Sequence, residues 1–205
     1  SDFDSMLANL IGKDYDDPMW VDLLNQLTLT DLAELVGHSG YGTRAIDSIG
    51  LPATVAADGP QGIKATYAGN NSTVAYTSEP VMAATFNTEI LYNVGLSMGE
   101  DALRSDNRVV GWYGPAMNIH RTPYSGRNFE YYSEDGILTG LIDARETVGI
   151  QSKGVYVYNK HFVLNDQENN RAGIGTWCNE QALREIYLKP FEYTVKLGET
   201  RGIMT

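Results

Sequence analysis

Cysteine is almost missing from this sequence: Cys178 stands alone among 205 residues. No disulfide can therefore form within the chain, and nothing points to an oxidising compartment. Long apolar runs are missing too. No stretch approaches the ~20 apolar residues that a membrane-spanning helix needs. The opening Ser1-Asp2-Phe3-Asp4 has neither the basic start nor the apolar centre of a secretory signal. These absences lead to the expectation of a cytoplasmic protein without a membrane partner. Positive charge is scarce: 15 Lys and Arg face 26 Asp and Glu, for a net charge of −11. Such a balance argues against nucleic acid as the main partner and suits a neutral substrate, although it also serves solubility alone. The three histidines, His38, His120 and His161, lack metal-ligand spacing, and no paired cysteines accompany them, so no metal is expected. A glycine-rich phosphate loop between a strand and a helix is also absent, which counts against a nucleotide-binding protein, and no cofactor is expected.

What is present is the composition of a globular chain, 42% hydrophobic and 20% charged, with enough apolar residues for a core. Trp20, Leu23, Leu24 and Leu27 recur at helical spacing after Asp17-Pro18. Thr28 and Asp31 have the spacing of a capping box ahead of Leu32, Leu35 and Val36, with Gly37 placed to end the helix. The following Gly37-His38-Ser39-Gly40-Tyr41-Gly42 misses the nucleophile-elbow pattern at its final glycine and is read as a loop.

From there strands and helices alternate. Ala53 to Ala57 reads as a strand entering Asp58-Gly59-Pro60, and a polar loop passes through Gly69-Asn70-Asn71-Ser72. Asn87 is placed to cap a helix with Ile90, Leu91, Val94 and Met98 facing inward. Val109 to Tyr113 reads as a strand, Leu138 to Val148 as a helix, and Val155 with Val157 as a strand running into Lys160-His161. Asn179 is placed to cap a last helix with Leu183, Ile186, Tyr187, Phe191 and Val195 on one stripe, and Pro190 should kink it. Gly202 to Thr205 begins another strand. The rhythm is that of a parallel α/β fold. It predicts a partial (β/α)8 TIM-type barrel, roughly the first half with preceding helices, since a complete barrel takes about 250 residues. Residues 1–50 are expected to form a helical segment leading in, and 51–205 the partial barrel. A strand that ends the chain is expected to leave an open edge, hence self-association or a complementary chain.

Four clusters fall at strand ends: Asp58-Gly59-Pro60, Asn118 to Arg121, Gly126 to Glu130, and Lys160-His161. All are rich in side chains that make several hydrogen bonds. A pyranose presents a ring of hydroxyls, each both donor and acceptor, which carboxylates, Lys, Arg and His together satisfy. Each such bond to a charged group is worth about 1.5–3 kcal/mol. Taken singly these residues have plainer readings. Asp58 before Gly-Pro is a turn residue more often than a ligand, Arg127 and Glu130 suit a structural ion pair, and Met82, Met98 and Met117 suit a core.

The longer words decide between these readings. Asp58-Gly59-Pro60-Gln61-Gly62, Gly114 to Pro123 (GPAMNIHRTP), Gly126 to Asp135 (GRNFEYYSED), Lys160-His161-Phe162 with Asn165, Gln167, Glu168 and Arg171, and Arg184 to Glu192 (REIYLKPFE) together resemble glycoside hydrolase family 3, in the family's order. The resemblance covers nearly everything from Leu51 onward. It implies that Asp58, Arg127, Lys160 and His161 bind the nonreducing-end sugar, with Arg121 and Glu130 supporting them. Lys64 stands where some relatives carry a sugar-binding arginine. It also implies at least one non-proline cis peptide between Lys160 and Phe162. Val163-Leu164-Asn165 replaces the Pro-Gly-His loop of relatives that release N-acetylglucosamine. A retaining, exo-acting β-glucosidase-like hydrolase of β-linked glucosides or related saccharides is therefore expected. The family's nucleophilic Asp and its acid/base residue match nothing in this chain, so no catalytic residue is assigned here. Asp166 and Glu168 occupy no catalytic position of the family. A non-catalytic sugar-binding protein on a degenerate hydrolase scaffold is the alternative.

Overall fold

The computed structural model describes residues 6–64 and 74–205. Ser1 to Asp4 and the loop through Gly69-Asn70-Asn71-Ser72 lie outside the described residues. The chain divides into two compact bodies, Ser1–Val55 and Ala56–Thr205.

The first body is helical. It holds α1 (Met6–Asn9), α2 (Met19–Leu24) and α3 (Leu29–Gly37), then β1 (Gly42–Thr43), which pairs antiparallel with the start of β2 (Thr54–Asp58). The capping box at Thr28 forms in both directions: the threonine hydroxyl accepts from Asp31 N and the Asp31 carboxylate accepts from Thr28 N. Two backbone donors that the helix start would otherwise leave unpaired are thereby satisfied. Leu10, Leu23, Ile46 and Ile49 form the core, with Trp20, Leu27 and Leu35 packed against it.

The second body has the alternation expected of it. The end of β2, then β3 (Val109–Tyr113), then β4 (Tyr156–Val157) lie side by side in chain order. Strands β3 and β4 run parallel, with Gly111 opposite Tyr156. Parallel bridges at Ala116–Lys160 and Asn159–Ile203 carry the pairing toward the strand ends. Between β2 and β3 come α4 (Glu79–Ala83) and α5 (Thr88–Arg104); α6 (Gly136–Gln151) joins β3 to β4. Caps set the starts of the long helices. Asn87 accepts from Glu89 N and Ile90 N, and Asp135 from Ile137 N and Leu138 N, each cap being worth about 1 kcal/mol.

Two expectations about helix faces need correction. Ile90 is exposed, and the buried face of α5 is Leu91, Gly95, Met98, Gly99 and Ala102. The glycines explain the rotation. A Cβ on Gly95 would lie 2.3 Å from Glu146 O, and one on Gly149 would lie 2.3 Å from Tyr92 O. Helices α5 and α6 therefore cross backbone to backbone, and the larger apolar side chains sit beside the crossing. The last helix is not a single kinked rod. It is a short α7 (Glu180–Ala182) capped by Asn179, a π turn over Leu183–Tyr187, and α8 (Lys189–Leu197), with Pro190 in the first turn of α8. Proline is tolerated there because the first-turn N–H groups have no partner in the helix. The register shift leaves Ile186 and Val195 partly exposed, while Tyr187, Phe191 and Thr194 face inward. Met82, Met98 and Met117 are core residues, as expected. Among the described residues no helix is long and apolar enough to cross a membrane.

Candidate functional site

Asp58 is the last residue of β2, and the turn after it admits only glycine at position 59. Gly59 has φ 125°, and a Cβ there would meet Gly62 O at 2.0 Å. The buried Trp112 of β3 fixes the turn from below, its indole N–H donating to Gly59 O at 2.9 Å. This aims the Asp58 carboxylate at Lys160, which leaves the end of β4 almost fully buried. Lys160 Nζ lies 2.7 Å from Asp58 Oδ1 and 3.7 Å from Glu130 Oε2, and Lys64 Nζ lies 3.4 Å from Asp58 Oδ2.

Glu130 sits, also buried, in a short 3-10 turn (Asn128–Glu130) that follows β3. It accepts from Arg127 Nε. The same guanidinium reaches Glu168 Oε1 at 3.3 Å and His161 Nε2 at 2.9 Å. Four strand-end residues from three loops thus form one charged chain, Asp58–Lys160–Glu130–Arg127, with His161 attached. Buried charges persist only when paired in this way.

The hydrogen bonds decide the state of each group. Burial pushes the Asp58 carboxyl up, but the bond and charge of Lys160, the Gly59 N–H and Lys64 more than reverse it, so its pKa falls below the ordinary value. Burial alone would lower the Arg127 pKa. The bond to Glu130 and the neighbouring acidic groups outweigh this, and the guanidinium stays firmly charged. Burial, with the cations Arg127, Lys160 and Arg171 nearby, lowers the His161 pKa from 6.5 to about 3. His161 is neutral at pH 7. An arginine can only donate, so Nε2 accepts and the proton sits on Nδ1. Nδ1 faces Tyr131 Oη at 3.1 Å and Asn118 Oδ1 at 3.3 Å.

Asn118, from the loop after β3, holds the His161 peptide on both sides. Its Oδ1 accepts from His161 N at 2.8 Å and its Nδ2 donates to His161 O at 2.9 Å. The expected non-proline cis peptide is present at Lys160–His161, and a second occurs at Phe162–Val163.

The structure therefore brings together Asp58, Arg127, Glu130, Lys160 and His161. Arg121 is not joined to them. It is exposed and stands over the Tyr187 ring, 5.8 Å from its centroid. Three contributors were absent from the sequence-derived set. Asn118 stood within a strand-end cluster, which was the available signal. Tyr131 lay inside a matched motif but was given no role of its own. Glu168, set aside as a catalytic candidate, serves as a second acidic partner for Arg127 and also holds Arg171 at 3.2 Å. Among the described residues no group of three or more His, Cys, Asp or Glu is placed to hold a metal ion.

Residues 27–205 match the model of the glycosyl hydrolase family 3 N terminal domain. The chain is 40% identical over 184 residues to beta-glucosidase A of Butyrivibrio fibrisolvens, covering 85% of this chain and 22% of that protein. It is 39% identical over 186 residues to a putative beta-glucosidase of Schizosaccharomyces pombe, covering 90% of this chain and 22% of that protein. Among solved structures, beta-glucosidase 3B of Thermotoga neapolitana in complex with alpha-D-glucose superposes with a TM-score of 0.77 at 42% identity, over 87% of this chain and 28% of that one. The beta-glucosidase of Kluyveromyces marxianus in complex with glucose gives a TM-score of 0.83 at 33% identity, over 90% of this chain and 22% of that one. The chain spans about a fifth of the length of the curated relatives it matches. Its architecture is α/β, part of a (β/α)8 barrel, and the chain belongs to glycoside hydrolase family 3.

Proposed function

We propose that the charged chain at the strand ends is the seat of the nonreducing-end sugar in a retaining, exo-acting β-glucosidase. The observation that carries this reading is the buried Lys160, its Nζ 2.7 Å from Asp58 Oδ1. A lysine and an aspartate so paired offer a neighbouring donor and acceptor to adjacent hydroxyls. Their mutual attraction fixes both before the sugar arrives, so little ordering cost remains at binding. Arg127 and the neutral His161 extend the array, and Glu130 holds Lys160 and Arg127 in register.

The beta-glucosidases among its relatives and the glucose bound in similar structures support a β-linked glucoside as the substrate class. Retaining hydrolysis needs a nucleophilic carboxylate and an acid/base carboxyl about 5–5.5 Å apart. We assign neither role to a residue of this chain. Its residues bind and orient the glycone so that the anomeric carbon meets groups supplied from elsewhere. Replacing Asp58 by Ala in the full-length protein that carries this chain should remove one charged hydrogen bond. The expected loss is about 1.5–3 kcal/mol of transition-state stabilisation, roughly tenfold to a hundredfold in kcat/KM on an aryl β-glucoside. A folded Asp58→Ala enzyme with unchanged kcat/KM would refute the assignment.

A further inference from the structure

Behind the strand-end cluster lie two acids that the reading above does not use. Glu79, the first residue of α4, is 0% exposed, and Glu146 of α6 is 1% exposed. Neither forms an ion pair with any described residue. Glu79 Oε2 accepts from Gln61 Nε2 at 2.6 Å, and Glu146 Oε2 accepts from the Tyr132 hydroxyl at 2.6 Å. The other oxygen of each, Glu79 Oε1 and Glu146 Oε1, is buried with no hydrogen-bond partner. Two carboxylates in this condition would be unpaired buried charges, whereas neutral acids avoid that cost.

Gln61 connects this pair to the site. Its amide nitrogen has two hydrogens and uses one on Glu79 and the other on Phe129 O, at 2.6 Å. Gln61 lies three residues after Asp58, and Phe129 immediately precedes Glu130. One carboxamide, anchored on Glu79, thus fastens the Asp58 turn to the Glu130 turn.

We propose that Glu79 is a positioning residue of the sugar site, acting through Gln61 and held neutral alongside Glu146. This rests on the reading of the cluster as a sugar seat. The groups facing Glu79 give the reason for its neutrality. Glu130 from the 3-10 turn opposes a negative charge on Glu79, while Lys160 beyond β4 favours one. An ionised Glu79 would compete with Asp58 and Glu130 for the single buried ammonium. From α6 and the segment before it, Glu146, Asp143 and Tyr132 bring no cation; the charges of Glu79 and Asp143 raise the Glu146 pKa further. Burial is the largest cause for both acids. It lifts Glu79 to about 8 against the donation from Gln61, and Glu146 well above its ordinary value.

The sign follows. An acid whose folded pKa is raised binds more protons folded than unfolded between the two values. Its contribution to stability is present below about 4.5 and is lost as pH rises to about 8. The test compares Glu79→Gln, Glu79→Leu and Glu146→Gln with the parent in the full-length protein, from about pH 5 to about pH 9. The readouts are thermal unfolding, the infrared carbonyl band of protonated carboxylic acids, and glucose affinity. The parent should lose stability and affinity as pH rises. Either Gln variant should flatten its share of the stability slope and lose part of the infrared band. Glu79→Gln should bind glucose within about twofold of the parent at the acid end, and Glu79→Leu about tenfold more weakly. An unchanged slope and band in Glu79→Gln would overturn the neutral state, and full affinity in Glu79→Leu would overturn the positioning role. A parent that binds no glucose would remove the sugar-seat reading, and the positioning role with it. The unfolding and infrared readouts would still decide the protonation of Glu79.

Discussion

Two sets of carboxyl groups lie in the same body and meet opposite fates. At the strand ends Asp58 is paired with Lys160, and its pKa is depressed. Among the helices Glu79, Glu146 and Asp143 have no cation, and their pKa values rise, to about 8 for Glu79 and about 7 for Asp143. Burial acts on all four in the same direction. The difference lies in the partners: Lys160, the Gly59 N–H and Lys64 hold Asp58 charged, whereas the acids among the helices accept hydrogen bonds only from neutral groups. Asp143 accepts from Asn159 Nδ2 at 3.0 and 3.1 Å and so anchors the residue just before Lys160.

The most damaging way to break this contrast is to remove the ammonium. Lys160→Met should leave buried carboxylate charge without its partner and cost about 3–5 kcal/mol in denaturant unfolding at pH 7. The Asp58 pKa should climb back at the same time. Next comes the helix crossing that carries the neutral set. Gly149→Ala would push a methyl into Tyr92 O and force α5 and α6 apart, an overpacking cost of about 1–3 kcal/mol by thermal unfolding.

His161 sharpens the contrast from the other side, as a base kept neutral by burial and nearby cations. Its folded pKa of about 3 lies below the ordinary 6.5. The stability it contributes is therefore complete above about 6.5 and is lost as pH falls toward 3. Replacing His161 by Asn should flatten the acid limb of the stability profile and leave the alkaline limb, which belongs to Glu79 and Glu146, unchanged. The smallest effect should come from Asn87→Ala, which removes a cap remote from both sets and costs about 1 kcal/mol with no change in either limb.

Much of this was legible in the sequence where the chemistry is local. Thr28 with Asp31, Asn87 and Asn179 cap helices because a short polar side chain reaches its own backbone, whatever surrounds it. Asp58 and Lys160-His161 were legible because each follows closely on an apolar run. The acid pair was not. A glutamate in the first turn of a helix reads as a favourable exposed charge, and only the packing of α6 and the Glu130 turn reveals that Glu79 is buried. The face of α5 was misjudged for the same reason. Ile90 looks inward by periodicity, but the close approach at Gly95 and Gly149 turns the helix so that glycines make the contact. Pro190 was read as a kink, yet a π turn before it resets the helix and places the proline where its missing N–H costs little.

The central claim is that charge at the strand ends, held by Lys160, is what receives the sugar. The most direct measurement is glucose affinity by calorimetry for Asp58→Asn in the full-length protein that carries this chain. This substitution keeps the shape, removes the charge and turns one acceptor oxygen into a donor. Binding at least about tenfold weaker than the parent is expected, with an unchanged fold by circular dichroism. Parent-like affinity in Asp58→Asn would contradict it, since a neutral amide would then serve where the account requires a carboxylate.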